Sequence, residues 1–454
     1  MTGLSRREFI GGAASLGALA GCRAFRAPNG LLSGAGANLT LGVISDIHVD
    51  AAKGDFRKFG DTTTFEKALH WFDAQGVDGV VLAGDIADNG MVNQLECVGE
   101  AWFRVFPDGR SARDGRPVEQ LFVYGNHDLE GQNYDKFDVR FFHKPSFEAA
   151  QIRHDPAKAW RTAFREDYAP IWFKEVKGYP FVGAHWSLGK NAWDGIPEVE
   201  DWFRANGGRL DRGKPFFYVQ HCHPKDTVYG SDAWCPDKGY ATRALSAFPN
   251  AVAFSGHSHT SLTDERSVWQ GAFTSIGTSS LRYGDGVDMF GQRQGMLVRV
   301  YDDRLVIARR DFVHDVPLES DWVVPLPAAV GGPFDFDVRR AKGEAPEFPA
   351  GARVTRRREK DGWLLTIPAA TAGRVRPFRY EVAAGVKDKD DKSVVFRIYD
   401  AKYNMPPSMV GAPRQYLVKD EALPKGADGK AIEPETFTVT PLGCFGNRGA
   451  PLTA

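Results

Sequence analysis

The sequence is poor in cysteine, has no excess charge of either sign, and lacks a long apolar run after its first two dozen residues. Its five cysteines in 454 residues (Cys22, Cys97, Cys222, Cys235 and Cys444) show no C-x-x-C spacing, which excludes a disulfide scaffold. Cys222 and Cys235 flank a loop and would pair only in an oxidising compartment; free or buried thiols are the expectation. Lys plus Arg total 57 against 58 Asp plus Glu, so there is no broad basic field to attract a nucleic-acid polymer. One local basic run, Arg353–Lys360, reads as a solvated strand face. No internal repeat or long low-complexity tract is present. Apolar residues at 43% and charged residues at 25% describe an ordinary globular chain, long enough for two or three domains.

The first residues read as an address. Arg6 and Arg7 precede a short Gly/Ala/Leu stretch ending at Cys22, in SRREFIGGAASLGALAGC. This stretch is too short and too glycine-rich to span a membrane. It resembles a bacterial twin-arginine export signal. Its end, Leu19–Cys22, resembles a lipoprotein processing box with Cys22 as the lipidated residue. The expectation is an exported protein, periplasmic or at the cell surface, touching the membrane only through its lipid anchor. Residues 1–22 would be the signal and 23–38 a Gly/Ala-rich tether.

From Leu39 the pattern alternates. LTLGVISD, VDGVVLAGD and EQLFVYGNHD read as strands that stop at polar residues. Helical spacing lies between them, with Phe65, Ala68, Leu69 and Phe72 on one face. YPFVGAH, KPFFYVQH and NAVAFSGH are three more apolar runs, and MLVRVYDDRLVIARRDF reads as a hairpin turning at Asp302 and Asp303. Alternating strands and helices predict an α/β fold with a mostly parallel sheet. Ligands of such sheets sit beyond the carboxyl ends of the strands. All six runs before the hairpin end in Asp, Asn or His, a regularity that packing does not explain. After about residue 320, Pro/Gly/Ala-rich linker or edge segments (321–352) lead into short strand-like runs (353–454). Those runs suggest a small all-β sandwich similar to a fibronectin type III or immunoglobulin-like module.

The strand ends supply Asp46 and His48, Asp85, Asn126 with His127 and Asp128, His221, and His257 with His259. Oxygen and imidazole donors together suit Zn, Mn or Fe, and a short carboxylate can bridge two ions. Glycine before the acid or histidine permits a tight turn. In GHSH, an extended backbone would send His257 and His259 to the same face.

In this order, D-x-H, G-D, G-N-H-D, a later His and G-H-x-H resemble the calcineurin-like metallophosphoesterase superfamily, over Leu39 to Phe312. The resemblance implies a four-layer αββα sandwich of two mixed sheets flanked by helices, spanning 39–320, with two divalent or trivalent metal ions. One ion would be held by Asp46, His48, Asp85 and His259. The other would be held by Asp85, Asn126, His221 and His257, with Asp85 bridging. A hydroxide shared by the ions would attack phosphorus. His127 would stabilise the transition state or protonate the leaving oxygen, and Asp128 would orient its ring. Purple acid phosphatases carry a Tyr ligand three residues after the bridging Asp; Asp88 stands there. His221 rather than His223 is the expected ligand, because it directly follows its strand.

Other candidates stay open. Arg282 and Tyr283 contact substrate or lie on a solvated loop. His185 and His223 face the pocket or are packed. Trp234 and Tyr240 form a lid or belong to the core. The expected activity is hydrolysis of a small-molecule phosphodiester of the cyclic-nucleotide or glycerophosphodiester type. The alternatives are a phosphomonoesterase or nucleotidase, and a cell-surface binding protein with a vestigial metal site.

Overall fold

The computed structural model describes residues 36–50, 61–133, 149–188, 195–210, 213–282, 293–318, 320–370, 377–386, 394–399 and 413–454. The signal with Arg6, Arg7 and Cys22, nearly all of the tether, and Tyr283 lie outside the described residues.

Two mixed sheets form the core. In the first, β1 (Leu39–Ile44), β2 (Gly79–Ala83) and β3 (Glu119–Val123) run parallel. The second contains β4 (Ile171–Val176), β5 (Tyr179–Ala184), β6 (Phe216–Val219), β7 (Ala251–Ser255), β8 (Val268–Gln270) and β9 (Thr274–Gly277), in the order β4-β5-β6-β7-β9-β8. The chain then returns to the first sheet. There β10 (Gln294–Val300) pairs antiparallel with β1, and β11 (Arg304–Asp311) pairs with β10. Val300 sits opposite Leu305, so the hairpin turns through Asp302 and Asp303 as its sequence predicts. Short strands β12 (Val316–Pro317) and β13 (Trp322–Pro325) both pair with β11. The 321–352 stretch thus opens with an edge strand of the core.

β2, β6 and β7 are buried along their whole length. Strands covered on both faces read as continuous apolar runs, which is why GVVLA and FFYV show no alternation. Leu41, Val43, Val81, Leu121, Phe181, Phe217, Phe254 and Val298 fill the space between the sheets. On the outer side of the first sheet, Val80, Leu82 and Phe122 pack with residues of the helices Thr63–Ala74, Val92–Val105 and Pro156–Phe164. The first of these helices buries Phe65, Ala68, Leu69 and Phe72, the stripe expected from a 3.6-residue repeat. On the outer side of the second sheet, Val182, Tyr218 and Ala253 pack with the helices Glu198–Asn206 and Tyr240–Leu245. The result is four layers, helix–sheet–sheet–helix. No helix among the described residues is long and apolar enough to cross a membrane.

The remaining strands are all antiparallel. A three-stranded sheet runs β14 (Thr355–Glu359), β15 (Gly362–Ile367), β18 (Arg414–Lys419). A four-stranded sheet runs β17 (Val394–Tyr399), β16 (Arg379–Gly385), β19 (Thr436–Leu442), β20 (Leu452–Thr453). Leu365, Ile367, Val382, Ile398, Val418, Phe437 and Val439 from both sheets share one apolar core. β16 alternates half-buried and buried residues, the period of a strand with one face inward. Phe378 of this region lies under the Arg266 guanidinium at 4.4 Å, and Phe336 meets Phe445 edge-on.

Candidate metal centre

Two groups of donors converge at the carboxyl ends of the core strands. Asp46, His48, Asp85 and His259 each offer one ligand atom within 4.8 Å of the others, and so do Asp85, His221 and His257. Asp85 belongs to both groups. Its Oδ2 lies 3.1 Å from His221 Nε2 and 3.5 Å from His48 Nε2. Asp46 Oδ1 lies 3.0 Å from His259 Nε2 and 3.7 Å from His48 Nε2. All of these side chains are buried.

The backbone is bent to achieve this. Asp46, His48, Asp85, His257 and His259 have φ of 53°, 44°, 51°, 72° and 51°. Non-glycine residues rarely occupy this left-handed region, and each such placement costs on the order of 1–3 kcal/mol. The expectation of an extended GHSH segment is therefore corrected. Its two histidines diverge to separate donor groups through left-handed turns, not through strand alternation. Close approach also fixes two glycines. A Cβ on Gly84 would stand 2.5 Å from His221 Nδ1, and one on Gly125 would stand 2.2 Å from Asp85 Oδ1.

Neighbouring groups orient the rings. His221 Nδ1 lies 2.8 Å from the Ala83 carbonyl, so Nδ1–H donates there and Nε2 is turned to Asp85. His48 Nδ1 lies 2.9 Å from Asp88 Oδ1, which turns its Nε2 to the centre. Asp46 accepts from Ser45 Oγ and from the His257 N–H. Ser45 Oγ in turn meets Thr278 Oγ1 at 2.6 Å and the Ser279 carbonyl at 2.8 Å.

The donor set fits metal cations. His48 Nε2 and His259 Nε2 are 3.1 Å apart, and His221 Nε2 and His257 Nδ1 are 3.2 Å apart. At most one proton can lie between such nitrogens, whereas a cation satisfies both. The carboxylates also call for positive charge. Burial alone would lower His48, but Asp46, Asp88 and Asp85 outweigh it and push the ring up to about 10. Burial opposes Asp85 in the same way at His221, which ends at about 9. Asp46 stays well below the usual carboxylate range despite burial, held there by His259 and His48. Metal uptake at such a site displaces protons from imidazole. Oxygen and nitrogen donors without cysteine suit Zn, Mn or Fe.

Residues 39–261 match the family profile of the calcineurin-like phosphoesterases. The chain carries a calcineurin-like phosphoesterase domain. That family hydrolyses phosphoesters, and two donor groups that share Asp85 are what a two-metal site of that kind needs. Solved structures similar to it include a dimetal phosphatase from Danio rerio, at 13% identity and TM-score 0.38, covering 64% of this chain and 99% of that one. Purple acid phosphatase PPD1 from yellow lupin seeds matches at 12% identity and TM-score 0.40, covering 63% and 53%. An archaeal phosphodiesterase matches at 10% identity and TM-score 0.25, covering 63% and 100%. No curated protein matches the sequence.

Around the phosphoesterase centre, Asn126 is buried between Gly125 and His127 at the start of the helix Asn126–Glu130. The His127 N–H donates to Asp85 Oδ1 at 2.9 Å, which fixes this turn on the shared carboxylate. The His127 side chain is 21% exposed, whereas the metal donors are closed off, so His127 is the imidazole a substrate can reach. Its ring stands edge-on to His48 with centroids 4.5 Å apart.

Asp128 does not orient that ring, contrary to expectation. Its carboxylate accepts from the N–H groups of Gly125 and Ala87, both at 2.7 Å, and of Ile86 at 3.0 Å. These bonds tie the helix to the turn after β2. Asp88 performs the orienting role: its carbonyl oxygen lies 2.8 Å and its Oδ1 3.4 Å from His127 Nδ1. Asp88 thus serves His48 and His127 together. The His48–Asp88–His127 group is a support rather than a third metal position, because its His48 nitrogen is the one turned away from the centre.

The weaker candidates separate cleanly. His223 is fully buried, with Nδ1 2.8 Å from Ser255 Oγ and Nε2 2.8 Å from Ser258 Oγ. Both ring nitrogens are satisfied, and burial lowers it to about 3. It is a structural histidine beneath the GHSH turn, not a substrate contact. His185 is also buried, among Tyr124, Trp160 and Tyr168, and burial lowers it to about 3; it too is removed from substrate. Arg282 is half-buried and pairs with Asp50. Trp234 is 61% exposed, so it is not core; Tyr240 is half-buried against Arg243. Cys222 and Cys235 are free thiols.

Proposed function

We propose that the protein is an exported, lipid-anchored phosphodiesterase that cleaves a small phosphodiester of the cyclic-nucleotide or glycerophosphodiester type. The observation that carries the phosphoesterase reading is the shared carboxylate, with Asp85 standing in both buried donor groups. The D-x-H and G-N-H-D pattern supports the diester, and the paired arginines with LAGC support export and lipidation at Cys22.

Asp46, His48, Asp85 and His259 would hold one ion, and Asp85, Asn126, His221 and His257 the other. When bound, two such cations would activate a water near neutral pH and offset charge on the phosphoryl oxygens. The chain's own part falls to His127, which donates a proton to the leaving oxygen from the half-open side of the site. Asp88 holds the His127 ring in place, and Asp85 outweighs burial to raise its pKa, which favours the acid form of the ring. The C-terminal sandwich, with strand order 1-2-5 in one sheet and 4-3-6-7 in the other, supports the fibronectin-like reading of residues 353–454. The D-x-H and G-N-H-D pattern favours the diester and accessory residues outside it decide the preference, so the test is a paired assay. Hydrolysis of bis(p-nitrophenyl) phosphate and p-nitrophenyl phosphate is compared with and without chelator. Faster, chelator-sensitive diester cleavage is expected. Faster monoester cleavage transfers the assignment to a phosphomonoesterase or nucleotidase.

A further inference from the structure

The two halves of the centre come from different sheets. Asp46, His48, Asp85, Asn126 and His127 follow strands of the first; His221, His257 and His259 follow strands of the second. Two metal positions shared between them require the strand ends to keep their spacing.

β5 belongs to the second sheet, and the two residues after it reach across to the first. The Tyr124 N–H donates to His185 Nδ1 at 3.0 Å, and the Trp186 N–H donates to the Tyr124 carbonyl at 3.1 Å. Tyr124 directly precedes Gly125, so both of its backbone polar groups are fixed just where the chain turns into Asn126 and His127. The Trp186 side chain repeats the crossing. Its Nε1–H donates to Glu130 Oε1 at 2.9 Å, at the end of the helix that begins with Asn126. Its indole lies nearly parallel to the His257 ring, with centroids 6.5 Å apart and planes at 28°, and edge-on to the His221 ring at 6.3 Å and 80°. Those are the two imidazoles grouped with Asp85. Trp186 is 2% exposed, too buried to touch substrate.

We propose that Trp186, seated by Glu130 and joined with His185 to Tyr124, is a positioning residue for one of the two metal positions. It sets the ring planes of His221 and His257 against Asp85 and Asn126 across the gap between the sheets. The inference rests on the dinuclear reading above.

The test is calorimetric titration of the chelator-stripped protein with Mn(II), backed by the visible spectrum with Co(II). His257→Ala serves as the reference for damage to that position. Wild type is expected to take up two ions. Trp186→Leu is expected to keep one at wild-type affinity and to bind the other about 10–100-fold more weakly, as loss of a supporting residue does. The Co(II) spectrum of its tight ion should match that of His257→Ala. Trp186→Phe keeps the ring but not the donor; it should fall between, and it carries the test if the leucine variant does not fold. Glu130→Gln, which preserves an acceptor, should stay near wild type. Two ions at unchanged affinity in Trp186→Leu and Trp186→Phe, or equal weakening of both ions, would overturn the role while leaving the dinuclear reading intact. Fewer than two ions on wild type would overturn both.

Discussion

The core strands and the C-terminal strands obey different rules at their ends. In the core, strands finish in left-handed, buried, ionisable residues: Asp46, His48, Asp85, His257 and His259 all have positive φ and little or no exposure. In the C-terminal sandwich, no described non-glycine residue has positive φ, and Thr440 is the only described polar residue that is buried. One region holds left-handed backbone and buried ionisable groups. The other spends its burial on apolar packing alone. Strain and buried charge are both costly, so their coincidence at one end of two sheets marks where function is paid for.

That contrast can be broken by substitution. His127→Ala should retain both ions and lose about 10²–10⁴-fold in turnover, the range for a general acid. Loss of an ion in that variant would make His127 a ligand instead. Asp88→Asn should cost less, about 10–100-fold, and should also move the pH profile. Asp85 and Asp88 raise the His127 pKa, and the active form is the protonated one, so activity falls as pH rises through that value. Removing the Asp88 charge lowers the value, and the alkaline limb should shift to lower pH. An unmoved limb would separate Asp88 from the acid. At the other extreme, Phe437→Ala empties a fully buried site in the sandwich core. It should destabilise that region by about 3–5 kcal/mol, read as a lower melting temperature. Ion count and turnover on a small diester should stay unchanged below that temperature; loss of metal would show that the two regions are coupled.

Much of this was legible in the sequence, and the failures have physical causes. The donors were readable because buried strands run continuously apolar and then stop at Asp, Asn or His. His221 was separable from His223 because it directly follows β6, where its Nε2 faces the centre. His223, two residues on, passes beneath the GHSH turn. Asp128 misled because its neighbour His127 faces the site, while its own carboxylate points back to the turn after β2. Asp88 was visible only as the absence of a tyrosine; its service to two rings depends on how G-D-I-A-D folds back. Trp186 carried no signal, since a tryptophan after an apolar strand reads as core until its ring is seen against His257 and His221. The left-handed φ values at GHSH were hidden because strand periodicity cannot report a left-handed residue.

The most direct test of the account is the number of metal ions per chain, measured by elemental analysis and calorimetry on wild type and on Asp85→Asn. Two ions are expected on wild type, with weakened binding of both in the variant, because one carboxylate belongs to both donor groups. One ion on wild type, or an Asp85→Asn protein that loses only one, would contradict a shared dinuclear centre.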